Sequence, residues 1–262
     1  MTREAPEREV AALRWDEVKD RLARGAAAIL PIGAGAKQHG LHMPMSTDQV
    51  FAAYFAKALA KRIDALIWPT LTYGFYPAFV AYAGSVSLSG ATFQATVTEI
   101  ADALIGFRAR SVLILDTGLS TIAPVEAAII AARDPSRIRH LKIFAGPRFE
   151  ATVRALQGQP CGSHADEMET SLMLAIAPQL VRRDAIAQLK NPPDGDRVRR
   201  TVLDLAVTWP WRSDDSDVAD LGVIGDARAG SAEFGNRLLE QVVEKAGGVL
   251  KELLERQRLA RG

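Results

Sequence analysis

The sequence predicts an α/β fold, and three observations carry that prediction. Short apolar runs closed by Gly or Pro recur along the chain, as in Ala26-Ala27-Ala28-Ile29-Leu30-Pro31-Ile32-Gly33, and read as buried strands. Between them lie longer stretches with apolar residues at helical spacing, such as Phe51, Phe55, Leu59 and Ile63. At 262 residues and 48% hydrophobic content the chain is long and apolar enough to bury a substantial core. Length alone fits one large domain or two small ones.

Taken in order, Trp15 to Ala23 is predicted helical, with Trp15, Val18 and Leu22 on one face and Asp16 and Glu17 favouring its N-terminal end. The first strand follows and hands over to a loop, Ala36 to Asp48. Thr47 or Asp48 is placed to cap the helix through Ile63. Ala65 to Pro69 is predicted as a second strand. The loop Tyr73-Gly74-Phe75-Tyr76-Pro77-Ala78-Phe79 has four aromatics in seven residues, suiting a pocket wall, a subunit interface or a lid on its own domain. Ser85 to Ser89 alternates with period two and reads as an edge-like strand. A helix over Thr92 to Phe107 places Phe93, Val97, Ile100 and Leu104 on one face. Ser111 to Leu115 is the clearest buried strand, and its polar turn, Asp116 to Thr121, precedes a helix over Pro124 to Arg133. Leu141 to Phe144 is expected as a further strand, and the segment from there to Gly162 as irregular chain punctuated by Gly and Pro. A helix opens in Gly162-Ser163-His164-Ala165-Asp166-Glu167-Met168-Glu169 and runs to Ala177. Beyond Pro178 the chain turns polar, with Pro192-Pro193 and a solvated acidic run at Asp214 to Asp217. Gly222 to Asp226 is a turn before a last helix carrying Phe234, Leu238, Val242 and Ala246 along one stripe.

Composition excludes several classes. With 32 basic and 31 acidic residues there is no clustered positive excess of the kind a nucleic-acid footprint needs. The longest apolar runs fall well short of the roughly 18 residues a membrane span requires. The N-terminus has no apolar signal-peptide core, and a single cysteine, Cys161, rules out an internal disulfide framework. A reducing cytoplasm is the expected compartment.

Chemistry-bearing side chains concentrate where strands hand over to helices. His39, His42 and Asp48 follow the first strand within ten residues, and sites in α/β sheets gather at such carboxyl ends. Two imidazoles and a carboxylate suit a borderline divalent metal; the competing reading has both histidines merely bonding the loop, and Asp48 capping the helix. At the second cluster His164 and Glu167 are i,i+3 neighbours, as are Asp166 and Glu169. Acids in a first helical turn also favour the helix dipole, which accounts for one or two of them. Lys37 is open between a substrate-carboxylate anchor, a base if buried, and a surface residue. His42 reads as orienting His39 or the loop, and His140, before a strand, as structural.

Three blocks together resemble the creatininase family of amidohydrolases. Leu30-Pro31-Ile32-Gly33 through His39-Gly40-Leu41-His42-Met43-Pro44 to Thr47-Asp48 is similar to the family's opening P-x-G-x-x-E-Q-H-G-P-H-L-P-x-x-T-D. Val112 to Asp116 with its polar turn stands where the family carries N-G-H-G-G-N. His164-Ala165-Asp166-Glu167-Met168-Glu169-Thr170-Ser171 is similar to H-A-G-E-x-E-T-S. Smaller matches at Tyr73-Gly74, Gly84 to Leu88 and Gly225-Asp226 fall in the same order. The resemblance covers nearly the whole chain and implies a single domain over residues 1–262 with a three-layer α/β/α fold and a mostly parallel central sheet. It also implies a metal-dependent hydrolase cleaving a C–N amide bond, cyclic or linear, in a small molecule. The divalent metal would be zinc or manganese, one or two per chain, in a homo-oligomer, by resemblance a hexamer.

On this footing His39, Asp48, Asp166 and Glu169 are the expected metal ligands, with Asp48 bridging if two ions are held. His164 and Glu167 are the expected catalytic residues. Gln38, Tyr76, Phe79, Thr117 and Ser120 are the expected substrate contacts. The chain departs from the pattern in reading Lys37-Gln38 before His39, without the first glutamate ligand, and in having no histidine in the second block, where Gly118 stands. It is closest to a branch with a K-E-H-G opening, an N-T-G-x-S-T turn and an H-A-D-E helix start, yet carries Gln38 where that branch has glutamate. Asp166, at a family glycine, is an added carboxylate that compensates for a lost ligand on this expectation. The alternatives are a lyase or isomerase, or a non-catalytic binding subunit, on the same scaffold with a degenerate metal site.

Overall fold

Four parallel strands form the centre of the computed structural model, which describes residues 7–159, 162–189 and 222–259. They are β1 (Ala27–Ile32), β2 (Ala65–Ile67), β3 (Val112–Asp116) and β4 (Ile138–Lys142), in the order β2-β1-β3-β4. Ile32 of β1 stands level with Asp116 of β3, so both strands release their chains at one height. Every residue of β1 and β3 is buried, the pattern of parallel strands covered on both faces.

The period-two alternation of the strands divides the core in two. Ala27, Ile29, Leu113 and Leu115 face a cluster with α2 (Thr47–Ala60), α6 (Glu167–Ile176) and α8 (Ala232–Leu259). Ala28, Leu30, Ile32, Val112 and Ile114 face the opposite cluster, with α3 (Gly90–Gly106), α4 (Ile122–Ala131) and Leu22 of α1 (Trp15–Ala23). The expected three-layer α/β/α arrangement is therefore present, with the sheet in the middle. The connection from β1 to β2 crosses one face through α2, and that from β2 to β3 crosses the other through α3. The carboxyl ends of β1 and β3 thus flank the switch in winding direction, where a crevice opens in such sheets.

Several elements differ from the expectation. Ser85 to Ser89 is no strand: it forms only an isolated bridge between Gly74 and Ser87. Its hydroxyls bond locally instead, Ser87 accepting from Tyr76 N–H at 2.8 Å and Ser89 capping α3 through Thr92 N–H at 3.1 Å. That cap is why α3 begins at Gly90. β4 starts at Ile138 rather than Leu141. A helix not expected, α5 (Pro147–Leu156), occupies the segment read as irregular, with Pro147 in its first turn where a missing N–H costs nothing. Neither Thr47 nor Asp48 caps α2: Ser46 is its N-cap residue without a side-chain bond, and Thr47 Oγ1 donates to Pro44 O at 2.7 Å. A four-residue helix, α7 (Arg183–Ile186), follows α6. Cys161, Pro192-Pro193 and the acidic run at Asp214 to Asp217 lie outside the described residues. No described helix is long and apolar enough to cross a membrane.

Candidate metal centre

The first wall of the site is the loop leaving β1. Gly33 opens it, and the position tolerates no side chain: a Cβ there would lie 2.3 Å from the Asp48 carbonyl oxygen. That close approach brings the first turn of α2, and with it Asp48, against the strand end. Lys37 N–H donates to Met45 O at 3.0 Å and closes the loop on itself. His39 Nδ1 donates to the Lys37 carbonyl at 3.0 Å, which turns Nε2 towards Asp48 Oδ1, also at 3.0 Å. The Lys37 ammonium lies 2.6 Å from the other Asp48 oxygen, with the lysine side chain 8% and the aspartate 1% exposed. The same ammonium sits 5.6 Å from the Tyr76 ring centre and 5.0 Å from that of Phe79.

The second wall is the approach to α6. The backbone of His164 pairs with Ile224 on both sides, its carbonyl accepting from Ile224 N–H at 2.8 Å. Its ring Nε2 donates to the Gln38 carbonyl at 2.9 Å, with Gln38 Oε1 at 3.1 Å. The Nδ1 lone pair is left facing Glu169 Oε2 at 3.6 Å. Ala165 adopts a left-handed φ of 51°, uncommon for a residue with a Cβ, and folds the chain so that its own N–H donates to Glu169 Oε2 at 2.5 Å. His39 and His164 approach to 4.8 Å between ring centres.

Ligand atoms of His39, His164 and Glu169 consequently lie within 4.8 Å of one another, all three residues buried. Two imidazoles and a carboxylate are the donors that zinc and related divalent ions take. Each histidine spends its second nitrogen on a backbone carbonyl, which fixes the tautomer and orients the ring. Burial holds the His164 pKa well below the usual imidazole range, as do His39 and Lys37, so the ring is neutral and able to coordinate. Burial also raises Glu169, against the pull of His39 and Lys37. Burial would raise Asp48 too, but the Lys37 ammonium and His39 outweigh it and hold that carboxyl well below the ordinary range.

The structure gathers some of the expected residues and disperses others. His39, His164 and Glu169 converge, with Asp48 beside His39. Asp166 and Glu167 do not join them. Asp166 is the N-cap of α6, Oδ1 accepting from Glu169 N–H at 3.1 Å and Oδ2 from Gln159 Nε2 at 2.9 Å. Burial, and Glu169 beside it, push the Asp166 pKa up to about 7. Glu167 accepts from the backbone N–H groups of Gly158 and Gln159, both at 2.7 Å, and so ties the end of α5 to α6. It is therefore a strut, where the sequence reading made it catalytic. Thr117 Oγ1 donates to Ile32 O at 3.0 Å, and exposed Ser120 donates to Phe75 O at 2.6 Å, so both hydroxyls expected at substrate bond backbone instead.

Tyr76 and Phe79 do line the site. Phe79 packs on His164 at 4.5 Å between ring centres. The buried Tyr76 hydroxyl has no hydrogen-bond partner among the described residues. Burial, with Asp48 and Asp116 nearby, raises its pKa well above the ordinary value, so it remains an O–H donor. Gln38 is held by donating from Nε2 to Gly222 O at 3.0 Å. His42 reaches α6, with Nε2 2.9 Å from Thr170 Oγ1, rather than orienting His39. Lys37 is buried, which removes its surface reading.

One cluster escaped the sequence. Buried Asp116 takes Gly118 N–H at 2.9 Å, Thr121 Oγ1 at 2.7 Å and His140 Nε2 at 3.1 Å. It locks the turn after β3, and at Gly118 a Cβ would strike Thr121 Oγ1 at 2.4 Å. The signal was present in Asp116-x-x-x-x-Thr121, but His140 joins only through the strand register, Ile114 opposite His140.

Comparison with known proteins gives the family. The family model described as creatinine amidohydrolase matches residues 11–250. The creatinine amidohydrolase of Pseudomonas putida is 28% identical over 93% of this chain and 96% of its own. The mycofactocin precursor peptide peptidase of Mycobacterium ulcerans is 25% identical over 82% of this chain and 81% of its own. The solved structure named "Creatininase Mn" superposes with a TM-score of 0.78 at 27% identity, covering 95% of this chain and 99% of that one. The chain belongs to the creatininase family of hydrolytic enzymes.

Proposed function

We propose that this protein is a metal-dependent amidohydrolase that cleaves a C–N amide bond, cyclic or linear, in a small molecule. The observation that carries this is the convergence of His39, His164 and Glu169, three buried donors within 4.8 Å. They would hold a divalent ion, zinc or manganese, through His39 Nε2, His164 Nδ1 and the Glu169 carboxylate. Such an ion supplies Lewis acidity to the amide carbonyl and brings the pKa of water bound to it towards about 7.

The chain's own residues do the rest. The Lys37 and Gln38 carbonyls keep both imidazoles in the coordinating tautomer. Phe79, packed on His164, supplies a flat apolar wall against which the substrate lies. The Tyr76 hydroxyl donates to a substrate oxygen, which satisfies a buried O–H left without a partner among the described residues. The Lys37 ammonium adds a fixed positive charge near the developing oxyanion. Glu167 stays on the Gly158 and Gln159 N–H groups and braces the start of α6, on which Glu169 stands. The assembly is read as a single-domain homo-oligomer of the cytoplasm, a hexamer by family likeness.

The test is metal analysis coupled to turnover on cyclic amides and short peptides. Expected are at least about one bound ion per chain and an amidase activity that chelator abolishes and added zinc or manganese restores. Protein prepared with metal available that contains none, and loses neither stability nor activity to chelator, removes the proposal.

A further inference from the structure

Lys37 is the unusual occupant of this site. A lysine is rarely buried, because its ammonium must exchange water for an anion. Here the anion is Asp48, whose two oxygens are both engaged: Oδ2 with Lys37 Nζ at 2.6 Å and Oδ1 with His39 Nε2 at 3.0 Å. Four further contacts fix the lysine. Its N–H is bonded to Met45 O, its carbonyl accepts from His39 Nδ1, and its ammonium lies 5.6 and 5.0 Å from the Tyr76 and Phe79 ring centres. The ammonium is therefore held between a carboxylate and two aromatic faces, as a bound cation would be.

Asp48 is also absent from the set of ligand atoms that converge within 4.8 Å. A carboxylate serving two ions must face both, and paired ions stand roughly 3.5–4 Å apart. The oxygen that would face a second ion here faces Nζ. A dication brought beside a tethered ammonium in a water-poor site meets repulsion that salt screens little.

We propose that the Lys37 ammonium is a built-in cation occupying the place beside Asp48, so that the site takes one divalent ion, on His39, His164 and Glu169, and excludes a second. The proposal rests on the metal-dependent reading above and specifies its stoichiometry. Asp48 then positions Lys37 and coordinates nothing, while the Lys37 carbonyl orients His39 through Nδ1.

The test is equilibrium dialysis of the chelator-stripped full chain against zinc and, separately, manganese, with bound metal counted by mass spectrometry. The wild-type chain is expected to saturate at one ion. Lys37→Glu, which replaces the resident cation by a carboxylate beside Asp48, is expected to saturate at two. The double variant Lys37→Met/Asp48→Asn removes both charges together, so no buried charge is stranded; it is expected to hold one ion with affinity within tenfold of wild type. Two ions in the wild type, or loss of the ion in the double variant while it remains folded, overturns the proposal and leaves the amidohydrolase reading standing. No ion in the wild type removes that reading, and this one with it. An anomalous-scattering map of the metal-loaded crystal reads the same question where Lys37→Glu does not fold. One peak, with Lys37 still against Asp48, supports the inference, and two peaks bridged by Asp48 refute it.

Discussion

His42 sets an acid limit on stability that can be isolated by one substitution. It lies in the loop after β1 with Nε2 2.9 Å from Thr170 Oγ1 of α6, and its Nδ1 has no partner among the described residues. A proton on Nδ1 would therefore be a buried, unsatisfied charge. Burial, and then His39 nearby, depress the His42 pKa from 6.5 to about 4. The unfolded chain takes up this proton near 6.5 and the folded chain only near 4. Stability from this group is thus complete above about pH 6.5 and is lost as pH falls to about 4. At 1.36 kcal/mol for each tenfold difference in proton affinity, the loss across that window is about 3 kcal/mol. The assay is urea unfolding from pH 4 to 8 on wild type and His42→Gln, whose amide does not titrate. Other groups titrate alike in both chains and cancel in the difference. That difference should be constant above pH 7, and by pH 4 should have moved by about 3 kcal/mol in favour of the variant. Parallel curves down to pH 4 would refute the assignment.

Glu167→Gln should destabilise the fold by about 2 kcal/mol, since a charged acceptor of the Gly158 and Gln159 N–H groups becomes a neutral one, while turnover per folded molecule stays unchanged. Calorimetry with active-site-normalised rates decides it; a loss of rate at full stability would return Glu167 to the chemistry. Gln38→Glu removes the donor to Gly222 O and sets a carboxylate against that carbonyl, at a cost of about 1–3 kcal/mol. Its thermal midpoint should fall with no gain in bound metal, and a gain in metal or amidase rate would show instead a weakened ligand position. Gly33→Ala forces a Cβ to 2.3 Å from the Asp48 carbonyl and so displaces the first turn of α2, costing about 1–3 kcal/mol. Denaturant titration checks this, and an unchanged midpoint would mean that the strand–helix approach is looser than described.

The centre of the fold was legible because parallel core strands are apolar on both faces. Ala27–Ile32 and Val112–Asp116 read as continuous runs, and no partner needs to be known to see them. Legibility fell at the edge. β4 alternates Arg139, His140 and Leu141 with only Ile138 fully buried, so its start was misplaced. Ser85 to Ser89 has the alternation of a strand, but a ladder also needs a neighbour, and the serine hydroxyls found nearer partners. The helix α5 did carry its signal. Phe149, Val153 and Leu156 recur at helical spacing behind Pro147, but Gly146 and Pro147 before them and Gly158 and Pro160 after them carry the signature of irregular chain.

At the site, residue type was readable and commitment was not. An acid three residues before another at a helix start is the spacing of a ligand pair and also of a cap, and Asp166 with Glu169 N–H is the cap. Which role is taken depends on what packs opposite, and Gln159, from the end of α5, decides it for Asp166. The same holds along the first loop, where one periodicity went unused. Lys37 and His39, two residues apart, both reach Asp48, while Gln38 between them reaches Gly222. Alternating directions of this kind are what extended chain gives. In Lys37-Gln38-His39 they place a cation and an imidazole together beside Asp48 and send the neutral amide to Gly222 O and to the Nε2 side of His164. The glutamine is therefore a poor measure of what the site has lost. The lysine determines how much positive charge Asp48 still has left to bind.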